Sequence, residues 1–239
     1  MARLRAAWRE RTFLRHLGIL MSGTALAQVA SLLAAPLLTR LYSAADFGTF
    51  GVFLSIAAIL GVVAGARLEL TLALPDDAAV AANLLAVNLV AIAAIAGLTT
   101  LLLLAFDTAL VAWVNDPRIA PWIPWIPVSV ALIGIFQAFT YQSIRGERFG
   151  VLAGARITRT LTTVSLQSLL GVLSGGVVGL VGGHLTGQTI GALTLFLRSV
   201  RPTTRALRRH VTLASMRDAA RDHLDFVRFG APQALLNSV

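Results

Sequence analysis

The chain has no cysteine and no lysine. Without cysteine, disulfides and thiolate metal sites are excluded. Without lysine, all 20 basic residues are arginine; against 11 acids they give a formal net charge of +9. Charge of either sign is scarce: charged residues are 13% of the 239, about half the ~25% usual in soluble domains. A soluble domain needs far more polar side chains to cover its wetted face. The shortage therefore excludes an ordinary cytosolic enzyme. It also excludes a disordered chain and a nucleic-acid-binding domain, despite the basic balance. Catalytic signatures are missing as well: there is no Gly-x-Ser-x-Gly, His-Glu-x-x-His or Gly-x-x-x-x-Gly-Lys-Ser/Thr. No enzymatic activity, cofactor or metal is expected.

What the chain does have is apolar length. Apolar residues are 56% of the sequence, and mean hydropathy is +0.78. A helix needs about 20 apolar residues to cross the hydrocarbon core. Six such runs are predicted, at about 17–38, 48–66, 80–106, 122–141, 157–173 and 177–197. Their length favours helices over barrel strands, which are about half as long and alternate in polarity. The first run exceeds the 7–15 residues of a signal-peptide core, so it reads as an uncleaved span. A seventh run starts near Phe226 and spans only 14 residues to Val239. It reads as the start of a further membrane helix.

The arginines predict orientation. With the N-terminus cytoplasmic, 18 of the 20 fall on the cytoplasmic side and only Arg40 and Arg118 on the other. Anionic lipid headgroups are their expected counter-charge. The division is a basic segment 1–16, a six-span lobe 17–197, an Arg-rich linker 198–225 and the seventh-helix start 226–239. On the outer side, Asn115-Asp116-Pro117 signals a turn. Trp113, Trp122 and Trp125 suit an interfacial aromatic belt. Gly175-Gly176 reads as a minimal hairpin.

Polar residues in apolar runs are the functional candidates. Arg40 ends the first span, where it either meets an anion in a cavity or snorkels to headgroups. Arg67 and Glu69 follow the second span, as a cavity-mouth or plain interfacial pair. Asn83 and Asn88 lie five apart, about 140° round a helix, so they do not share a face. His184 is the one ionisable residue well inside the sixth span, a candidate for proton coupling or a neutral packing residue. Glycines recur every fourth residue from Gly171 to Gly191, a stripe suited to close helix packing.

Four stretches, in order, resemble bacterial oligosaccharide flippases, the polysaccharide exporters of the Wzx type. They are Pro36-Leu-Leu-Thr-Arg40-Leu-Tyr42-Ser-Ala-Ala-Asp46-Phe47-Gly48, Arg67-Leu-Glu69-Leu-Thr-Leu-Ala-Leu-Pro75-Asp76-Asp77, Gln142-Ser-Ile-Arg145-Gly-Glu-Arg148-Phe149 and Phe229-Gly-Ala-Pro232-Gln-Ala-Leu-Leu-Asn237-Ser238. The resemblance covers about residues 13–239. It implies an all-α integral membrane protein with a MATE-like N-terminal six-helix lobe plus the start of a seventh helix. It implies a transporter that moves undecaprenyl-pyrophosphate-linked oligosaccharide from the cytoplasmic to the periplasmic leaflet of the bacterial inner membrane. Arg40, Arg67, Glu69, Asn83, Arg145 and Arg148 are then the expected substrate contacts, and His184 the ion-coupling residue. The expected partners are membrane lipids, a C-terminal lobe and polysaccharide assembly proteins. A MATE-type drug or cation antiporter and a non-transporting membrane scaffold are the alternatives. The antiporter would want carboxylates in its spans, and these spans have almost none.

Overall fold

A computed structural model describes the backbone of residues 2–64, 72, 77–173, 175–210 and 215–216, and side chains within 18, 21–62, 64, 72, 77, 79–173, 175–198 and 215–216. The described residues are helical throughout and form no strand. The elements are α1 (Ala2–Leu41), α2 (Ala44–Ala64), α3 (Ala78–Ala105), α4 (Asp107–Val114), a 3₁₀ helix (Pro117–Trp125), α5 (Ile126–Arg145), α6 (Phe149–Leu173) and α7 (Gly176–His210). Arg67, Glu69 and the predicted seventh-helix start lie outside the described residues.

Local chemistry sets the breaks between helices. Ser43 and Asp46 form a reciprocal capping box at the start of α2: Asp46 N donates to Ser43 Oγ at 3.1 Å, and Ser43 N donates to Asp46 Oδ2 at 3.0 Å. Asp77 caps α3 by accepting from Ala79 N at 2.8 Å. Asn115 closes α4 in the left-handed region, at φ 53, and Asp116 caps the 3₁₀ helix. The α6–α7 turn passes through Gly175 and Gly176 at φ 61 and 70, which glycine adopts without a Cβ clash. Both turns predicted from sequence are present.

Among the described residues, five helical stretches are long and apolar enough to cross a membrane: Met21–Leu41, Ala44–Val62, Ala79–Ala105, Pro117–Arg145 and Gly176–Arg198. The sequence predicts six. The difference is α6, whose 25 residues are ample in length but include Arg156, Arg159, Gln167 and four threonines. Helix α6 begins at Phe149, eight residues before the predicted 157, because nothing from Phe149 onward breaks a helix. Helix α7 likewise runs past the predicted end of its apolar part, to His210.

The packing follows side-chain size. Helices α6 and α7 form an antiparallel pair, with α1 along the other side of α6 and with α5, α3 and α2 gathered on α7. The glycine stripe faces α6: a Cβ on Gly183 would meet Gln167 Cγ at 2.6 Å and its backbone N at 2.8 Å, and one on Gly191 would meet Arg159 Cβ at 2.7 Å. Small residues let helix backbones approach where hydrophobic exclusion from water gives no help. At the end of the lobe carrying the α1–α2 and α6–α7 turns, Phe53, Ile119, Ile123, Ile126 and Val181 fill one core. Leu84, Leu85, Ile92, Phe139, Leu152 and Leu195 fill a second.

Candidate functional site

Between α1 and α6 on one side and α2 and α5 on the other lies an open cleft of about 1130 Å³, larger than a typical 300–1,000 Å³ small-ligand pocket. It sits toward the end of the lobe carrying the α5–α6 turn. Helix α1 contributes Thr24, Gln28 and Ser31; α5 contributes Phe136, Gln137, Thr140 and Tyr141; α6 contributes Arg156, Arg159 and Thr160. The two arginines are three apart, so they project from one face of α6. They lie seven and ten residues into the helix, roughly 10–15 Å from its start.

Each guanidinium is held by an uncharged partner. Arg156 Nη1 donates to Thr24 Oγ1 of α1 at 2.9 Å. Arg159 lies over the ring of Phe136 on α5, 5.1 Å from its centroid, a cation–π contact. Among the described residues no carboxylate lines the cleft, and the sequence has none between Glu147 and Asp218. The single ion pair among the described residues, Arg118 with Asp116 at 2.9 Å, is at the opposite end. Two neighbouring arginines with no acidic partner among the described residues make an anion the natural complement.

The residues expected from sequence fall elsewhere. Arg40 is exposed at the end of α1. Asn83 is buried, and its Nδ2 donates to Ala79 O of its own helix at 2.9 Å. Arg145 and Arg148 are half-buried around the α5–α6 turn, where Arg148 Nη1 donates to Arg198 O at 3.4 Å. None of these four is among the side chains lining the cleft. His184 is half-buried on α7, edge-on to Phe50 and Phe53 of α2 at 5.7 and 6.4 Å. The sequence counts Arg156 and Arg159 only among the 18 arginines that set orientation. Their three-residue spacing, with no breaker after Phe149, was the signal for a helical site.

At the opposite end a polar cluster ties α2 to the 3₁₀ helix. Thr49 Oγ1 donates to Asp116 Oδ2 at 2.5 Å, and Arg118 Nη2 donates to the same oxygen at 3.1 Å. The Arg118 and Thr49 hydrogen bonds hold the Asp116 carboxyl at about 2, well below the usual carboxylate range. Trp113 and Trp125 are exposed here and Trp122 half-buried.

The chain matches no protein-family model, no curated protein and no solved structure.

Proposed function

We propose that the chain is the N-terminal lobe of a membrane transporter for a lipid-linked oligosaccharide, with the Arg156–Arg159 cleft as its contact for the pyrophosphate. One observation carries this reading: two helix-borne arginines line a wide cleft in which no described residue is a carboxylate. Guanidinium groups bind phosphate oxygens in paired, charge-assisted hydrogen bonds. The cleft's uncharged hydroxyls and amides suit a sugar beside the phosphate. The exposed apolar faces of α1 and α3, with Leu32, Leu33, Leu101 and Leu104 outward, suit contact with lipid tails or with a second lobe. The ordered motif resemblance supports the same substrate class. On this reading the N-terminus is cytoplasmic, the cleft faces the cytoplasmic leaflet of the bacterial inner membrane, and a C-terminal lobe completes the cavity for alternating access. The absence of acids in the cleft weighs against a cation antiporter.

The test is binding of a short-chain polyprenyl pyrophosphate to the chain in lipid nanodiscs. Arg156→Gln and Arg159→Gln each remove a charged hydrogen bond, worth about 1.5–3 kcal/mol, so binding should weaken about ten- to hundredfold. Unchanged binding in the folded double variant would overturn the reading.

A further inference from the structure

The lining of the cleft changes along its length. Arg156 bonds Thr24 of α1, and Arg159, one turn on, lies over Phe136 of α5. These contacts fix the level of the two cations on both walls. Toward the α5–α6 turn the walls carry Thr140 and Tyr141. Toward the α1–α2 turn they become apolar: α1 contributes Leu32 and Ala35, α2 contributes Ala58 and Val62, and α5 contributes Ile133. Leu32 and Ala35 lie about 12–17 Å along α1 from Thr24. Ile133 is one turn from Phe136, and a Cβ on Gly61 of α2 would meet its side chain at 3.0 Å, so α2 and α5 reach this level together. Among the described residues, Ser31 is the one polar side chain in this part of the lining. Its hydroxyl donates to Ala27 O of its own helix at 3.2 Å.

A ligand has to match that order. Phosphate oxygens belong on the guanidiniums, which bind them in charge-assisted pairs. Sugar hydroxyls taken out of water need hydrogen-bond partners, and the apolar end offers almost none. A hydrocarbon chain needs no such partners and belongs there. Ala35 and Ala58 are both exposed, so their small side chains leave the apolar end as open room rather than filled core.

We propose that the cleft seats an anionic amphiphile lengthwise. Its diphosphate lies on Arg156 and Arg159, the first part of its prenyl chain lies between α1, α2 and α5, and the group beyond the diphosphate points toward the α5–α6 turn. The proposal rests on the cleft being an anion site, and adds to it a chain subsite and a direction. A lipid in the leaflet beside the α5–α6 turn has the same order, with its headgroup outward and its chain toward the bilayer centre. It therefore needs no inversion to be seated.

The experiment titrates the full chain in phosphatidylcholine nanodiscs with inorganic pyrophosphate and with geranyl pyrophosphate, the same anion carrying a short prenyl chain. Wild type is compared with Ala58→Trp, which fills the apolar end from an exposed position. Partition of the prenyl chain into the bilayer is common to both proteins and cancels in their ratio. The expected result is that Ala58→Trp weakens geranyl pyrophosphate about tenfold or more, the scale on which apolar pockets reject a misfit, and changes inorganic pyrophosphate less than about twofold. In addition, a geranyl pyrophosphate analogue with a diazirine at the chain end should label wild-type peptides containing residues 32–35 or 58–62. This second measurement carries the test should Ala58→Trp fail to fold. Labelling confined to the α5–α6 end would overturn the proposal, as would equal weakening of both probes. No effect of Ala58→Trp on either probe would overturn it too, and would leave the apolar end to bilayer lipid or a second lobe. In each of these cases inorganic pyrophosphate binding that still depends on Arg159 keeps the anion cleft standing. No binding of either probe would overturn both readings, beginning with the cleft.

Discussion

The two sides of α6 meet opposite kinds of neighbour. Toward α7 its backbone is almost in contact with the next helix, because glycines at 183, 187 and 191 leave nothing between them. Toward α5, to which it is joined by a turn of three residues, it stands off across a cleft of about 1130 Å³. Arg159 belongs to both sides. Its Cβ and carbonyl are part of the seam, while its guanidinium reaches over Phe136 on the far wall of the cleft. The contrast teaches that a rigid seam can anchor a long, costly cation at the edge of an open space. The seam fixes the Cα, and the side chain alone spans the gap.

The largest effect should come from closing off the seam. Gly183→Val places a branched side chain against the Gln167 backbone, which cannot step aside as a side-chain tip would. Overpacking of this kind costs about 1–3 kcal/mol or more, and reversible unfolding in mixed micelles should show it. An unchanged unfolding midpoint would mean that the seam is loose. A smaller loss is expected from Tyr42→Phe. The Tyr42 hydroxyl donates to Gln167 O at 2.5 Å, pinning the α1–α2 turn to the seam. Removing it takes away one buried hydrogen bond, worth about 0.5–1.5 kcal/mol, read by the same unfolding measurement.

The polar cluster at the opposite end should lose its contribution only in acid. The folded-state value of Asp116 is depressed to about 2, below the ~3.9 of a free aspartate. Its contribution to stability is therefore complete above about pH 4 and is lost as pH falls through about 2. Thr49→Val removes one of the two main causes, so the acid loss should be smaller and should be complete at higher pH. Unfolding midpoints measured between pH 2 and pH 5 check this, and coincident acid limbs would sink it. The smallest effect belongs to Gly97→Ala on α3, where a Cβ would meet nothing within 4 Å. Alanine in place of an unconstrained helical glycine should be neutral or stabilising by up to about 1 kcal/mol, and a loss comparable with that of Gly183→Val would erase the contrast.

Most of the helices were legible in the sequence, because apolar length and breakers are local properties. Asn115-Asp116-Pro117 and Gly175-Gly176 announce their turns through backbone chemistry that needs no partner. The start of α6 was not legible by hydropathy, since the predicted apolar run begins only after Arg156. The cleft was less legible still. Thr24 and Arg156 are 132 residues apart, and no local pattern states that α1 lies along α6 and away from α5. The motif resemblance pointed to cations at Arg40, Arg145 and Arg148, yet motif membership does not say which way a side chain faces.

Helix α7 has one more consequence. It is continuous for 35 residues from the two glycines at its start to His210, about 52 Å of rod at 1.5 Å per residue. Packed against α6, α5, α3 and α2 nearer the glycine turn, it carries Arg201, Arg205, Arg208 and Arg209 on its far part. These four charges lie about 38–50 Å along the rod from the turn, so one helix joins the glycine hairpin at one end of the lobe to a basic cluster beyond the other.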